Sequence, residues 1–313
     1  MYKPIVSESP LPANSEANLQ STGFAHSTLG IKRLLIPLLT TPRVAQAIKW
    51  VVYLSLLVNT GQYFFDDFLA WQATFNGITP TLAETLEEFT TSIDMLAWIG
   101  LIVLLELETY QLPDEAFTRW VTRFIHGGRL LCYLGIAYAA YGYTAATVGN
   151  YNVQLIEGVN NLCQLAGQDL WLQWNLADYS AITSDACAAL PKDTAFYRIE
   201  GETLVFGASV LPYIQWMGWV DVLNAIVWLL VVALIEVEVR LQSADRFASR
   251  LLGPTRIAKS FFYLVLIGNG VLWAAQGHVL YAWDAFLWIF GFWAIELNLA
   301  EWEQERLQEM EAQ

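Results

Sequence analysis

Hydrophobic residues along this chain come in blocks, and polar residues punctuate the blocks at recurring distances. The segment "DMLAWIGLIVLLELE", Asp94 to Glu108, sets carboxylates around an apolar run from Met95 to Leu105. That run alone is shorter than the roughly 20 apolar residues a bilayer crossing needs. A similar phrase, "DAFLWIFGFWAIELN", runs from Asp284 to Asn298. With their flanks, six apolar stretches predict helices at approximately 48–66, 92–112, 129–149, 213–240, 259–277 and 280–300. The expected fold is an all-α integral membrane protein with six transmembrane helices.

The polar punctuation repeats. The first helix of each consecutive pair carries a basic residue followed four positions later by Tyr-Leu: Lys49 with Tyr53, Arg129 with Tyr133, Lys259 with Tyr263. Another aromatic stands ten residues beyond each Tyr, at Tyr63, Tyr143 and Trp273, with Asn59, Ala139 and Asn269 in between. The second helix reads Asp94, Trp98, Glu106, Glu108; its counterparts are Asn224, Trp228, Glu236, Glu238 and Asp284, Trp288, Glu296, Asn298. Self-similarity at fixed spacing is a sign of repeated units. The expectation is three tandem antiparallel two-helix repeats. At 100° per residue the first, second and fourth of these positions fall within about 80° of arc, and the third lies about 120° from the first.

The organisation that follows runs from one end to the other. Residues 1–30, rich in Ser, Asn and Pro, read as a disordered cytoplasmic tail, and 31–47 as an interfacial helix. Repeat 1 spans 48–128 and ends in a basic cytoplasmic loop. Repeat 2 spans 129–258 and includes a long extracytoplasmic loop, 150–212. Repeat 3 occupies 259–313 with an acidic C-terminal helix. Within the long loop, "FYRIEGETLVF" alternates about a Glu-Gly turn in the manner of a β-hairpin. That loop reads either as a lid on the helix ends or as a docking surface for a periplasmic partner.

Composition strengthens the membrane reading. The 313 residues are 56% hydrophobic and 15% charged, against about 25% charged in soluble domains. The formal charge of −14 is unevenly spread, because Tyr53 to Thr118 contains no Lys or Arg. Basic residues gather in the loops 113–128 and 241–258, and loops of that kind stay in the cytoplasm. Both termini are therefore expected inside, in the inner membrane of a bacterium. There is no nucleic-acid footprint.

The chemistry is narrower. Three His and three Cys occur without metal-ligand spacing, so neither metal nor cofactor is expected. Cys163 and Cys187 share the long loop and are candidates for a disulfide. No nucleophile stands beside a base, and nothing points to an enzyme. A carboxylate at membrane depth needs a partner, a wet cavity or the bundle interior. Two readings follow for Glu106, Glu236 and Glu296. In one they pair with Lys49, Arg129 and Lys259, and the protein is a non-catalytic anchor or scaffold in a larger complex. In the other, these acids join Glu108, Glu238, Asp94, Asp284, Asn224 and Asn298 in a cation or proton route. Among the repeat aromatics Trp98, Trp228, Trp288, Tyr53, Tyr133 and Tyr263, the three Trp read as packing between units or as sitting at the outer membrane interface, with membrane lipid and other proteins as partners.

Overall fold

The computed structural model describes residues 42–107, 118–243 and 248–292. The chain divides at Val51 into two units. The first contributes only the opening of helix α1, Pro42–Thr74; the features below lie in the second. Helix α2, Leu82–Glu88, starts at a capping box: Thr81 N–H donates to Glu84 Oε2 at 2.6 Å, and Glu84 N–H donates to Thr81 Oγ1 at 3.3 Å. This satisfies two amide donors that a helix start otherwise leaves open. Helix α3, Thr90–Glu106, follows almost at once. Helix α4, Arg119–Gly149, is capped by Thr118, whose Oγ1 accepts from Val121 N–H. Helices α5, Leu211–Ser243, and α6, Ala248–Ala275, come next, and a tight turn at Gly277 leads into α7, Val279–Phe292.

The helices pack α3 on α4, α4 on α5 and α5 on α6. The α3–α4 crossing is close because Gly128, Gly135 and Gly142, seven apart, face the partner. A Cβ at Gly135 would stand 2.9 Å from the Ala97 Cβ, and one at Gly142 would run into Thr90. Small residues at such spacing let helix backbones approach within van der Waals reach. The bundle core collects Leu56, Met95, Leu101, Ile136, Val231 and Leu266.

Between α4 and α5 the chain forms a mixed sheet of five short strands. They are β1 Val153–Leu155, β2 Trp171–Gln173, β3 Tyr179–Ala181, β4 Phe196–Ile199 and β5 Leu204–Gly207, in spatial order β1-β4-β5-β2-β3. β2 runs parallel to β5; the other pairs are antiparallel. The β4–β5 hairpin turns at Gly201, whose φ of 90° is open to glycine at little cost. Cys163 and Cys187 form a disulfide, and Cys187 joins Leu165, Leu172, Phe196 and Val205 in a separate apolar core. The sheet is tied to the end of α1: Thr203 N–H donates to the Thr74 carbonyl at 2.9 Å, and Thr203 Oγ1 donates to the same oxygen at 3.0 Å.

This corrects the all-α, six-span expectation. Two described helices are long and apolar enough to cross a membrane, over Leu211–Val237 and Gly253–Ala275. Thr90–Leu104 and Val279–Phe292 are apolar but too short. Helices α1 and α4 are long enough but less apolar: Asn59, Gln62, Asp66 and Asp67 interrupt α1, and after Arg129 the uncharged remainder of α4 is diluted by Tyr133, Tyr138, Tyr141, Tyr143, Thr144 and Thr147. Nor does the chain fold as three tandem two-helix units. Helix lengths differ widely, and a five-stranded sheet stands where the second unit was expected to carry a long loop with one hairpin. The three-residue strands β1, β2 and β3 are too brief for period-2 alternation to register, and the β2–β5 pairing is non-local. Residues 1–41 and 293–313, with the tail, most of the interfacial segment, the acidic C-terminal segment and both termini, lie outside the described residues.

Candidate functional site

The aromatic residues found by spacing meet. Trp98 on α3 touches Trp228 on α5 with ring centroids 5.9 Å apart, and Trp288 on α7 at 5.8 Å. Phe292 closes the cluster, 5.8 Å from Trp98 and 5.2 Å from Trp228. The tilted and edge-on contacts suit the quadrupoles of the rings. All three indoles are buried, and they make a solid apolar floor between α3, α5 and α7.

One helical turn before each Trp stands a polar residue, and these meet too. Asp94, Asn224 and Asp284 line a common cavity of about 120 Å³. Asp221, Tyr63, Tyr143, Trp273 and Tyr281 share its walls. Its lining includes no Lys or Arg. Two carboxylates have neutral donors: Asn59 Nδ2 donates to Asp284 Oδ1 at 2.9 Å, and Tyr143 OH donates to Asp94 Oδ2 at 3.5 Å. Other polar groups are left open. Asn224 Oδ1 and Trp273 Nε1 are buried without a hydrogen-bond partner, although the indole lies beside Asp221. A buried polar atom with no partner is costly unless water or a ligand completes it.

Sequence spacing missed Asp221, yet the signal was present: it is the sole charged residue between Leu211 and Ile235, one turn before Asn224. An acid within so apolar a run usually has a function. Tyr281 was missed as well. It stacks on Tyr63 with centroids 5.7 Å apart and on His278 at 5.6 Å. The His278 ring nitrogen Nε2 is in turn 2.7 Å from the Tyr213 hydroxyl. Burial holds the His278 pKa below its usual value, against the opposing pull of Asp178.

At the other end of the helices stand the residues expected to pair or to form a cation route. Glu106 is half-buried, and Tyr53 OH approaches its Oε2 at 3.5 Å, a long contact. Glu236 is exposed on α5. Lys49, Arg129 and Lys259 are half-buried on α1, α4 and α6, Tyr263 is half-buried and Tyr133 exposed. Glu108, Glu296 and Asn298 lie outside the described residues, as does the side chain of Glu238.

Near the sheet is a second pocket, of about 280 Å³, with Gln173, Trp174, Lys192, Asp193 and Tyr213 on its walls. Asp193 is locked in place: Ser209 N–H and Ser209 Oγ each donate to its Oδ2 at 2.6 Å. Burial alone would raise the Asp193 pKa, but these bonds and those from Thr194 hold it below the ordinary value. A further acidic group lies where α2 meets the sheet. Burial, then the nearby charges of Glu202 and Asp67, pushes Glu88 up to about 8. Glu202 is pushed up to about 7 by burial and by Glu87 and Glu84. Among the described residues no group of His, Cys, Asp and Glu is placed to hold a metal ion.

Fold and site together define a helical protein with a carboxylate-lined cavity under a small disulfide-linked sheet. Comparison with protein families, characterised proteins and solved structures finds no match.

Proposed function

We propose that the protein resides in a membrane through α5 and α6 and binds cations in the cavity between its helices, as a step in their passage or in that of protons. The surface of the helices supports membrane residence. Only 33% of an 18-residue apolar stretch within Leu211–Val237, and 22% of one within Gly253–Ala275, is buried, whereas the core helix of a soluble protein is mostly covered. Large apolar side chains face outward instead, including Trp216, Trp219, Leu223 and Ile226 on α5 and Phe261, Leu264 and Val271 on α6. Lipid suits such a surface; water does not.

One observation carries the cation reading: Asp94, Asp221 and Asp284 line a single cavity whose walls include no basic side chain. Three carboxylates without a counter-charge stay ionised together only at high cost, so they either hold protons or attract a positive ligand. Carboxylate rings favour cations in pores, and acids within membranes mark proton relays. The experiment is cation- and proton-flux measurement in liposomes containing the full chain. Flux that is lost in Asp94→Asn or Asp284→Asn, with folding retained, supports the reading. An absence of flux in the wild-type protein under a membrane potential would sink it.

A scaffold role stays open because the sheet has its own core and disulfide and presents Tyr151, Leu155 and Trp174 outward. A stoichiometric partner retained through mild-detergent purification, together with no flux, favours that second reading.

A further inference from the structure

We propose that the cavity between the helices recognises a small protonated alkylamine, a compact body with an N–H-bearing ammonium head. The proposal rests on the cation reading above and narrows it to a chemical class.

The first ground is the make-up of the walls. Bare metal cations demand oxygen ligands on nearly every side. Here the carboxylates and the Asn224 amide share the lining with the rings of Tyr63, Tyr143, Trp228, Trp273, Tyr281 and Trp288 and with apolar Met95 and Ala285. Among the described residues, no set of acids is grouped closely enough for one metal ion. A mixed anionic and aromatic lining fits a ligand that is itself mixed. Its charged head goes to carboxylates, and its alkyl part and diffuse positive charge go to ring faces.

Size is the second ground. A water needs roughly 10–15 Å³ of such space, so a cavity of about 120 Å³ holds a ligand of several non-hydrogen atoms. A dehydrated alkali ion would leave most of it empty.

The third ground is the pair of open polar atoms. Trp273 is only 5% exposed, yet its Nε1 has no hydrogen-bond partner and it lines the cavity. Asn224 Oδ1 is equally unmatched. An unmatched acceptor on a residue that lines the cavity beside carboxylates asks for a donor, and a primary ammonium brings three. A fully methylated ammonium brings none, which separates the two kinds of amine. The Trp273 N–H lies beside Asp221, so it answers to that carboxylate and not to the amine.

The test uses the full chain in nanodiscs. Four Trp lie in or beside the cavity, so intrinsic fluorescence reports occupancy. At fixed ionic strength, propylammonium should give a saturable change. Tetramethylammonium, Na⁺, K⁺ and Mg²⁺ should give none, or one weakened by about tenfold or more, the scale of a lost charge-assisted hydrogen bond. Asp284→Asn and Asp94→Asn should each weaken propylammonium by about the same factor. Trp273→Phe, which keeps the ring but not the N–H, should bind within a few-fold of wild type. Should an Asp variant fail to fold, Asn224→Leu takes its place, since it removes the acceptor without touching a charge. The proposal is overturned if propylammonium gives no saturable signal, if inorganic cations or tetramethylammonium match it, or if the Asp94, Asp284 and Asn224 variants bind it unchanged. Flux of protons or inorganic cations without amine binding would discard this proposal alone, whereas amine binding without flux of any kind would discard the transport reading and keep the site.

Discussion

The sheet and the helical bundle solve the same problem in opposite ways. In the sheet, apolar side chains turn inward to a closed core that includes one half of the disulfide. The bundle sends large apolar groups outward and keeps carboxylates inside. Buried polar atoms divide the same way. Among the described residues, those without a partner include Trp71 Nε1, Ser92 Oγ, Asn224 Oδ1, Asn269 Nδ2 and Trp273 Nε1, all on helices. None lies between Val153 and Gly207. A region built only for stability satisfies its buried polar groups. The contrast teaches that the buried polar side chains of the sheet are matched from within, while several in the bundle wait on something beyond the described residues.

The sharpest way to break this comparison is to remove the floor of the cavity. Trp98 touches Trp228, Trp288 and Phe292, so Trp98→Ala leaves a void that three helices cannot easily close. A loss of about 3–5 kcal/mol is expected. It should appear as an early thermal transition in far-ultraviolet circular dichroism, with hydrogen exchange in the sheet unchanged. If the sheet melts together with the helices, the two regions are one cooperative unit and the contrast fails.

The converse experiment opens the disulfide. Cys163→Ser combined with Cys187→Ser releases a link across 24 residues, and about 2–4 kcal/mol should be lost. Amide exchange over residues 153–207 should rise while that of α3 to α6 holds. Equal exchange with and without the bond would mean that the apolar core alone fixes the sheet.

How much of this was legible beforehand follows the length scale of each signal. The hairpin at Phe196–Gly207 showed in its alternation and Glu-Gly turn, because its two strands are adjacent in sequence. β1, β2 and β3 find their partners only through distant contacts, and nothing local marks them. Helices were visible from periodicity, but whether a helix crosses a membrane depends on its interruptions. The spacing marked Asn59, which donates to Asp284, but not Asp67, whose Oδ2 accepts from Ser92 N–H at 2.8 Å. Spacing did identify Asp94, Asn224 and Asp284, which share one cavity. It passed over Asp221 because that residue has no equivalent at the same spacing. A search for charge isolated in an apolar run, rather than for recurrence, finds it.

The junction between the regions should respond to pH. Glu88 and Glu202 have folded-state pKa values near 8 and 7, above the ordinary 4.5. The folded state thus binds protons more tightly, so their contribution is fully present below about pH 4.5 and is lost as pH rises through about 7 to 8. Between pH 5 and pH 8 the protein should therefore lose stability, read as a melting temperature that falls as pH rises. Glu88→Gln should flatten that slope and melt higher than wild type at pH 8. An unchanged slope in the variant would assign the pH response elsewhere.

The smallest expected effect sits at the same junction, where Tyr213 belongs to the pocket near the sheet and meets His278 at the start of α7. Tyr213→Phe keeps the ring stacked 6.3 Å from the imidazole but removes the 2.7 Å contact between hydroxyl and Nε2. The net cost of one such bond is about 0.5–1.5 kcal/mol. The direction of the accompanying change discriminates more than its size. His278 stacks on Tyr281, and Tyr281 lines the cavity. If the cavity is closed on this side by that stack, loosening His278 should speed quenching of the cavity tryptophans by acrylamide while leaving sheet exchange unaltered. Quenching that stays at the wild-type rate would mean that the stack is a packing contact, and that the bundle's reserve of polar groups is sealed by something other than the residues beneath the sheet.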